Sequence, residues 1–264
     1  MNFKNAVSLL YIKNQTNEIC LNAVRQDGRE LQFVRNQTEE ICLEAVRQNG
    51  KALKYVKQQT PELCLIAVRQ THEAFKYVKE QTLEICLEAV RQDGTELIYV
   101  NERTPELCME AVRQNGLALI SVMRASQTPE ICMEAIMKNG RALEFVRVQT
   151  PELCLAAVRQ NGRALKFVKE QTPEICLTAV KQDPTALEFV REQTPEICLT
   201  AVRQFGYALQ FVREQTEEIC REAIKQTNLA YFKKRPLTGL EHNDLVDSNF
   251  GFDFHTTQQC LAVI

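Results

Sequence analysis

A threonine recurs every 22 residues along most of this chain. Thr16, Thr38, Thr60, Thr82 and Thr104 set the period, and after one step of 24 it resumes at Thr128, Thr150, Thr172, Thr194 and Thr216. A cysteine stands four residues after each, from Cys20 to Cys220. The unit reads approximately T-P-E-I-C-L-E-A-V-R-Q-N-G-R-A-L-K-F-V-R-E-Q, numbered here 1 to 22 from the threonine. Residues Ser8 to Gln15 match the second half of a unit, so a half-repeat precedes the array. Each such unit is too short to bury its apolar residues alone, and only stacking on neighbours completes a core.

Punctuation within the unit predicts its secondary structure. Threonine caps a helix N-terminus, proline fits the first turn, and glutamate favours the positive end of the dipole. Six of the eight prolines stand at position 2 and seven of the nine glycines at position 13. A first helix, A, is therefore expected from position 2 to an Asn-Gly stop, the glycine taking the left-handed conformation. A second, shorter helix, B, is expected over positions 14 to 21. With residues about 100° apart, apolar positions 4, 5, 6, 8 and 9 cover most of helix A, which must lie between neighbours. Helix B has the narrower apolar arc, at 15, 16, 18 and 19, with position 17 facing away. The expected fold is all-α: an α-solenoid of ten helix-turn-helix repeats over residues 16–235, spacing irregular at 123–127. Residues 1–15 form the N-terminal half-repeat, and 236–264 an acidic, phenylalanine-containing tail or cap.

The segment A-V-R-Q-N-G-R-A-L at Ala157–Leu165 resembles the repeats of the DUF4116 family, and the likeness runs over residues 8–232. The Q-T-P-E-I-C lead-in departs from the acidic, valine-rich one usual there. That family has no assigned function, so the resemblance implies a helical repeat fold and no chemistry.

The cysteines are too regular for a disulfide framework. Equivalent residues of stacked helices lie about 8–10 Å apart, beyond the roughly 7 Å a disulfide allows between Cα atoms. With no C-x-x-C and three histidines in the chain, no metal site is expected either. Position 5 reads instead as a small hydrophobe in the core of helix A. No phosphate loop, H-E-x-x-H or G-x-S-x-G occurs, so no enzyme and no cofactor are expected. No segment has the layout of a signal peptide or the length of a membrane span, and a reducing, cytoplasmic location is expected.

Charge is arranged in columns. Glutamate occupies position 3 in all ten units, from Glu18 to Glu218, and position 10 is basic in nine, including Arg25, Arg47, Arg69, Arg91, Arg113, Arg159 and Arg203. Only about 20° separates the two directions on the helical wheel, so the columns are expected to neutralise each other. The alternative is a cationic ladder for a polyanion. Residues 1–235 hold 32 basic and 30 acidic groups, too small an excess for a nucleic-acid groove, and nucleic acid is not the expected partner. Position 18 carries an aromatic column (Phe33, Tyr55, Tyr77, Tyr99, Phe145, Phe167, Phe189, Phe211) assigned to the core.

Specificity in repeat proteins resides where positions vary over a fixed scaffold. Position 17 is normally Lys, Glu or Gln, but is Ile98 and Ile120 in adjacent units, with Leu117 between and Met123 at the irregular spacing. Those four residues are the candidate binding site for a protein partner, the alternative being local repacking around the irregular step. His72, in place of a glycine, reads as a turn residue. After Arg235 the chain has no Lys or Arg but contains Phe250, Phe252 and Phe254; His242, Asp244, Asp247 and His255 match no metal spacing. The resulting expectation is a non-catalytic interaction scaffold, with a polyanion binder or a self-assembling protein as alternatives.

Overall fold

The computed structural model describes residues 8–234, with side chains placed as far as Thr227. The expectations for 236–264 lie outside the described residues. Two compact units divide the chain, Met1–Lys138 and Asn139–Ile264. Both consist of the same all-α repeat, and the described residues contain no strand.

Helix A spans positions 2 to 11, as in Pro61–Gln70 and Pro151–Gln160. The threonine hydroxyl accepts from the position-4 amide, at 3.3 Å for Thr60 and Leu63, supplying a partner to one of the orphan donors of the first turn. At the other end one residue serves two helices. Asn49 is extended (φ −151°, ψ 106°); its N–H donates to the Ala45 carbonyl at 2.9 Å, closing helix A. Its side chain accepts from the Lys51 N–H at 3.0 Å and opens the next helix.

That next element is shorter and tighter than the helix expected over positions 14 to 21. It is a six-residue 3₁₀ helix over positions 13 to 18, as in Gly50–Tyr55 and Gly162–Phe167. So few residues cannot build a stable α-helix. With three residues per turn, positions 16 and 19 line one side and 14 and 17 the other. Leu53 and Val56 are accordingly buried and Lys51 and Lys54 exposed. The position-18 aromatics of the full repeats, expected in the core, are half-buried at the edge of the turn, except Tyr99, which is exposed. Position-17 lysines lie over several rings, Lys54 at 4.5 Å from the centre of Tyr55 and Lys166 at 4.6 Å from that of Phe167.

The glycine expectation is also corrected. None of Gly28, Gly50, Gly94, Gly140, Gly162 and Gly206 has a left-handed backbone. A Cβ on Gly162 would instead lie 2.5 Å from the Ala179 carbonyl oxygen and 2.8 Å from Gln182 Oε1. Position 13 favours glycine because the next repeat's helix A comes so close, although His72 and Pro184 stand there in repeats three and eight.

Stacking is held by two glutamine columns. In the first, position 11 receives the position-13 amide of the preceding repeat, as where Gly140 N–H donates to Gln160 Oε1 at 2.7 Å. In the second, the position-22 amide staples two repeats. Gln149 Nε2 donates to the Leu143 carbonyl of its own turn at 3.2 Å and to Phe167 of the next at 2.9 Å. Its Oε1 accepts from the Lys169 N–H at 2.9 Å. Arg103 holds the same place in repeat four, reaching the Leu97, Ile98 and Ser121 carbonyls. Position-20 cations add a third tie, each side chain donating to a carbonyl of the repeat before, as Lys57 does to Arg35 at 2.8 Å and Arg191 to Val168 at 3.1 Å.

Within each unit, helices A contact the helices A before and after them, and the 3₁₀ turns do likewise, giving two layers. Positions 4, 5, 8, 9, 15, 16 and 19 form the core, for instance Leu153, Cys154, Ala157, Val158, Ala164, Leu165 and Val168. The two extra residues of the irregular step make an added 3₁₀ turn, Arg124–Ser126, after the regular Gly116–Ser121. Repeat ten does not turn at all. Thr227 and Asn228 replace Asn-Gly there, and one helix runs over Glu217–Lys234, with the Thr227 hydroxyl donating to the Ala223 carbonyl inside it.

Candidate interaction surfaces

All ten position-5 cysteines are buried and unbonded to one another. Most thiols point at the staple: Cys154 Sγ lies 3.8 Å and Cys64 Sγ 3.5 Å from the Oε1 of the position-22 glutamine. Burial, with Glu80 nearby, pushes the Cys64 thiol up to about 11. Burial also raises Cys20, Cys42, Cys86, Cys108, Cys132, Cys154, Cys176 and Cys198. A reactive cysteine needs the opposite shift, so these are poor nucleophiles.

The apolar candidates lie where the sequence places them. Positions 14 and 17 eclipse in a 3₁₀ turn, so Leu117 and Ile120 share one face of Gly116–Ser121. Ile98 has the same place in the adjoining turn, Gly94–Tyr99. Ile98 is 58% exposed, Ile120 65% and Met123 51%, while Leu117 is half-buried. Sequence reasoning missed a fifth member. Tyr99 is 48% exposed, more than the position-18 aromatics of the other full repeats, and Ser121 replaces a ring beside it. In repeats one to three and six to eight positions 14 and 17 are polar, carrying such contacts as the Lys51–Glu73 and Arg163–Glu188 ion pairs. Leu10 and Tyr11 of the half-repeat, 55% and 76% exposed, and Tyr207 of repeat nine are further apolar members of these columns.

The charge columns behave differently from their wheel projection. Positions 3 and 10 share a direction but lie seven residues, about 10 Å, apart along the axis. Among the described residues only Arg69 and Glu84, at 3.9 Å, pair in that way. The partner is instead position 7, usually of the following repeat: Arg25–Glu44 at 2.7 Å, Arg69–Glu88 at 3.3 Å, Arg91–Glu110 at 3.2 Å and Arg113–Glu134 at 3.9 Å. Arg47 turns to Glu44 of its own helix at 3.4 Å. The Arg25 guanidinium, hydrogen-bonded to Glu44, holds that carboxyl below the usual range. In repeats seven to nine, position 7 is Ala156, Thr178 and Thr200. Arg159, Lys181 and Arg203 there are exposed and have no carboxylate partner among the described residues. Glu222, the acid after Arg203, faces Lys225 and Gln226 instead.

His72 is more than a turn residue. Its Nδ1 lies 2.8 Å from Glu96 Oε1 and 4.0 Å from Asp93. Glu96 is buried, and its Oε2 has no partner. The sequence signal was present: two consecutive repeats lose their usual Gly and Ala at positions 13 and 15, which meet across the repeat interface. Among the described residues no group of three potential metal ligands converges, and no helix is long and apolar enough to cross a membrane.

No curated protein and no solved structure matches the chain. Three stretches, residues 16–60, 38–83 and 150–193, match the family model of a domain of unknown function, DUF4116. Each covers about two of the 22-residue units, in register with the threonine period. With the repeated helix-and-turn architecture on both sides of the irregular step, the chain is a DUF4116-like helical repeat protein.

Proposed function

We propose that this chain is a non-catalytic protein-interaction scaffold whose docking patch is Ile98, Tyr99, Leu117, Ile120 and Met123. The observation that carries the reading is the exposure of large apolar side chains in two adjacent repeats, on a face that is polar in the three repeats before them. Clustered exposure of this kind marks interaction sites more often than scattered single residues do. Each such side chain covered by a partner contributes about 1.5–3 kcal/mol. The ten free thiols fit a reducing compartment such as the cytoplasm. The test is the double variant Ile98→Lys, Ile120→Lys, which places the usual residue type at both positions. It should melt like the parent and lose at least tenfold in partner capture, with a protein partner expected rather than a second copy. Parental melting with full capture would remove the patch from consideration. Concentration-dependent self-association that disappears in the variant would make the occupant a second copy.

A further inference from the structure

We infer that the second unit carries a separate docking strip for an extended acidic peptide, formed by Arg159, Lys181 and Arg203. The position-10 cations described in the first unit pair with position-7 glutamates, whereas these three have no carboxylate partner among the described residues. Thr178 and Thr200 occupy the place of those acids beside Arg159 and Lys181, and Glu222, which holds it beside Arg203, is turned to Lys225 and Gln226. Half-buried Leu155, Leu177 and Leu199 sit four residues before the three cations, on the same helix face. Each repeat therefore offers one unopposed cation beside one partly exposed leucine.

Spacing selects the ligand. Stacked helices lie about 8–10 Å apart, and a polyproline II chain has three residues per turn and rises about 3.1 Å per residue. A peptide running across the repeats in that conformation, with an acid at every third position, would present every acid to one side and meet one cation per repeat, with intervening apolar side chains beside the leucines. A nucleic acid fits less well. Its phosphates would also approach Glu152, Glu174 and Glu196, about 10 Å along the same helices, and the half-buried aromatics lie on the 3₁₀ turns of the other layer. These residues are all in the second unit, so failure of this inference leaves the apolar patch at Ile98 and Ile120 untouched.

The test is fluorescence anisotropy with the full chain. The probe is a labelled polyproline II peptide of about twelve residues, with Glu at every third position and Pro or Ala between. An oligodeoxythymidine of equal charge and a Lys-for-Glu peptide serve as comparisons. The acidic peptide should bind, more weakly as salt rises, and lose at least tenfold in affinity in the Arg159→Ala, Lys181→Ala, Arg203→Ala variant. The pair Arg69→Ala, Arg91→Ala should change it less than twofold. Thr178→Glu with Thr200→Glu installs the first unit's glutamates and should abolish binding with the cations still present, which separates the strip from misfolding. Absence of binding, equal loss from both alanine sets, retention in the glutamate variant, or tighter binding of the oligonucleotide would each overturn the inference.

Discussion

At the scale of single residues, the most constrained side chain is the position-22 glutamine. Gln149 joins two carbonyls and an amide from consecutive repeats, and Gln149→Ala would leave all three without that partner. Leaving partly buried polar groups unpaired costs about 1–3 kcal/mol, so a loss of about 3 kcal/mol is expected in urea unfolding. Gln149→Arg should lose less, since Arg103 already fills the equivalent place with three carbonyl bonds. The His72–Glu96 pair makes a sharper test. His72→Gly alone strands a buried carboxylate and should destabilise by about 3 kcal/mol. Adding Glu96→Ala restores the usual small residues and should recover the parent's stability or exceed it. A double variant no better than the single one would show that the pair is not coupled. In the sequence, each substitution looked like a separate local change, because nothing in one dimension shows that positions 13 and 15 of consecutive repeats touch.

At the scale of elements, capping was legible and packing was not. Thr at position 1, Pro at 2 and Asn or Asp at 12 act through neighbours a few residues away, and helix A begins and ends where they stand. Position 13 was assigned to glycine for the wrong reason, since the requirement is set by a carbonyl of the next repeat. Gly162→Ala should therefore destabilise by about 1–3 kcal/mol through overpacking against Ala179 and Gln182. An equivalent change in an isolated single-repeat peptide should have no such effect, which circular dichroism can compare. The turn from helix A to the 3₁₀ helix also forms with Thr71-His72 in repeat three and Asp183-Pro184 in repeat eight, but it is absent in repeat ten. With Thr227 and Asn228 in place of Asn-Gly, the helix continues to Lys234. The charge columns were misjudged because a helical wheel discards the axial coordinate. Position 7, unremarkable on the wheel, is what neutralises Arg25, Arg69, Arg91 and Arg113.

At the scale of the whole molecule, ten similar units make small effects additive within each stack. Nine buried thiols have raised pKa values, Cys64 reaching about 11 from an ordinary 9.0. The folded chain thus holds these protons to higher pH than the unfolded chain does. For Cys64 the contribution to stability is intact below about pH 9 and falls as pH rises through about 11, and the other eight act in the same direction. Urea midpoints at pH 8 and pH 10.5 should differ strongly, with much of the difference removed when several position-5 cysteines are replaced by alanine. A flat profile over that range would contradict the assignment. Nucleic acid should not bind at submicromolar affinity near physiological salt, because the first unit's cations are mostly paired; a steep salt slope at high affinity would argue otherwise. The period, most of the core positions and the ends of helix A follow from local capping and apolar spacing, and the sequence alone carries them. Stacking settles that the position-18 aromatics stay at the edge of the core, why position 13 favours glycine, that glutamines staple the repeats, and which cations stay unpaired. The last three depend on distances between residues 17 to 24 apart in the chain, and stacking alone sets such distances.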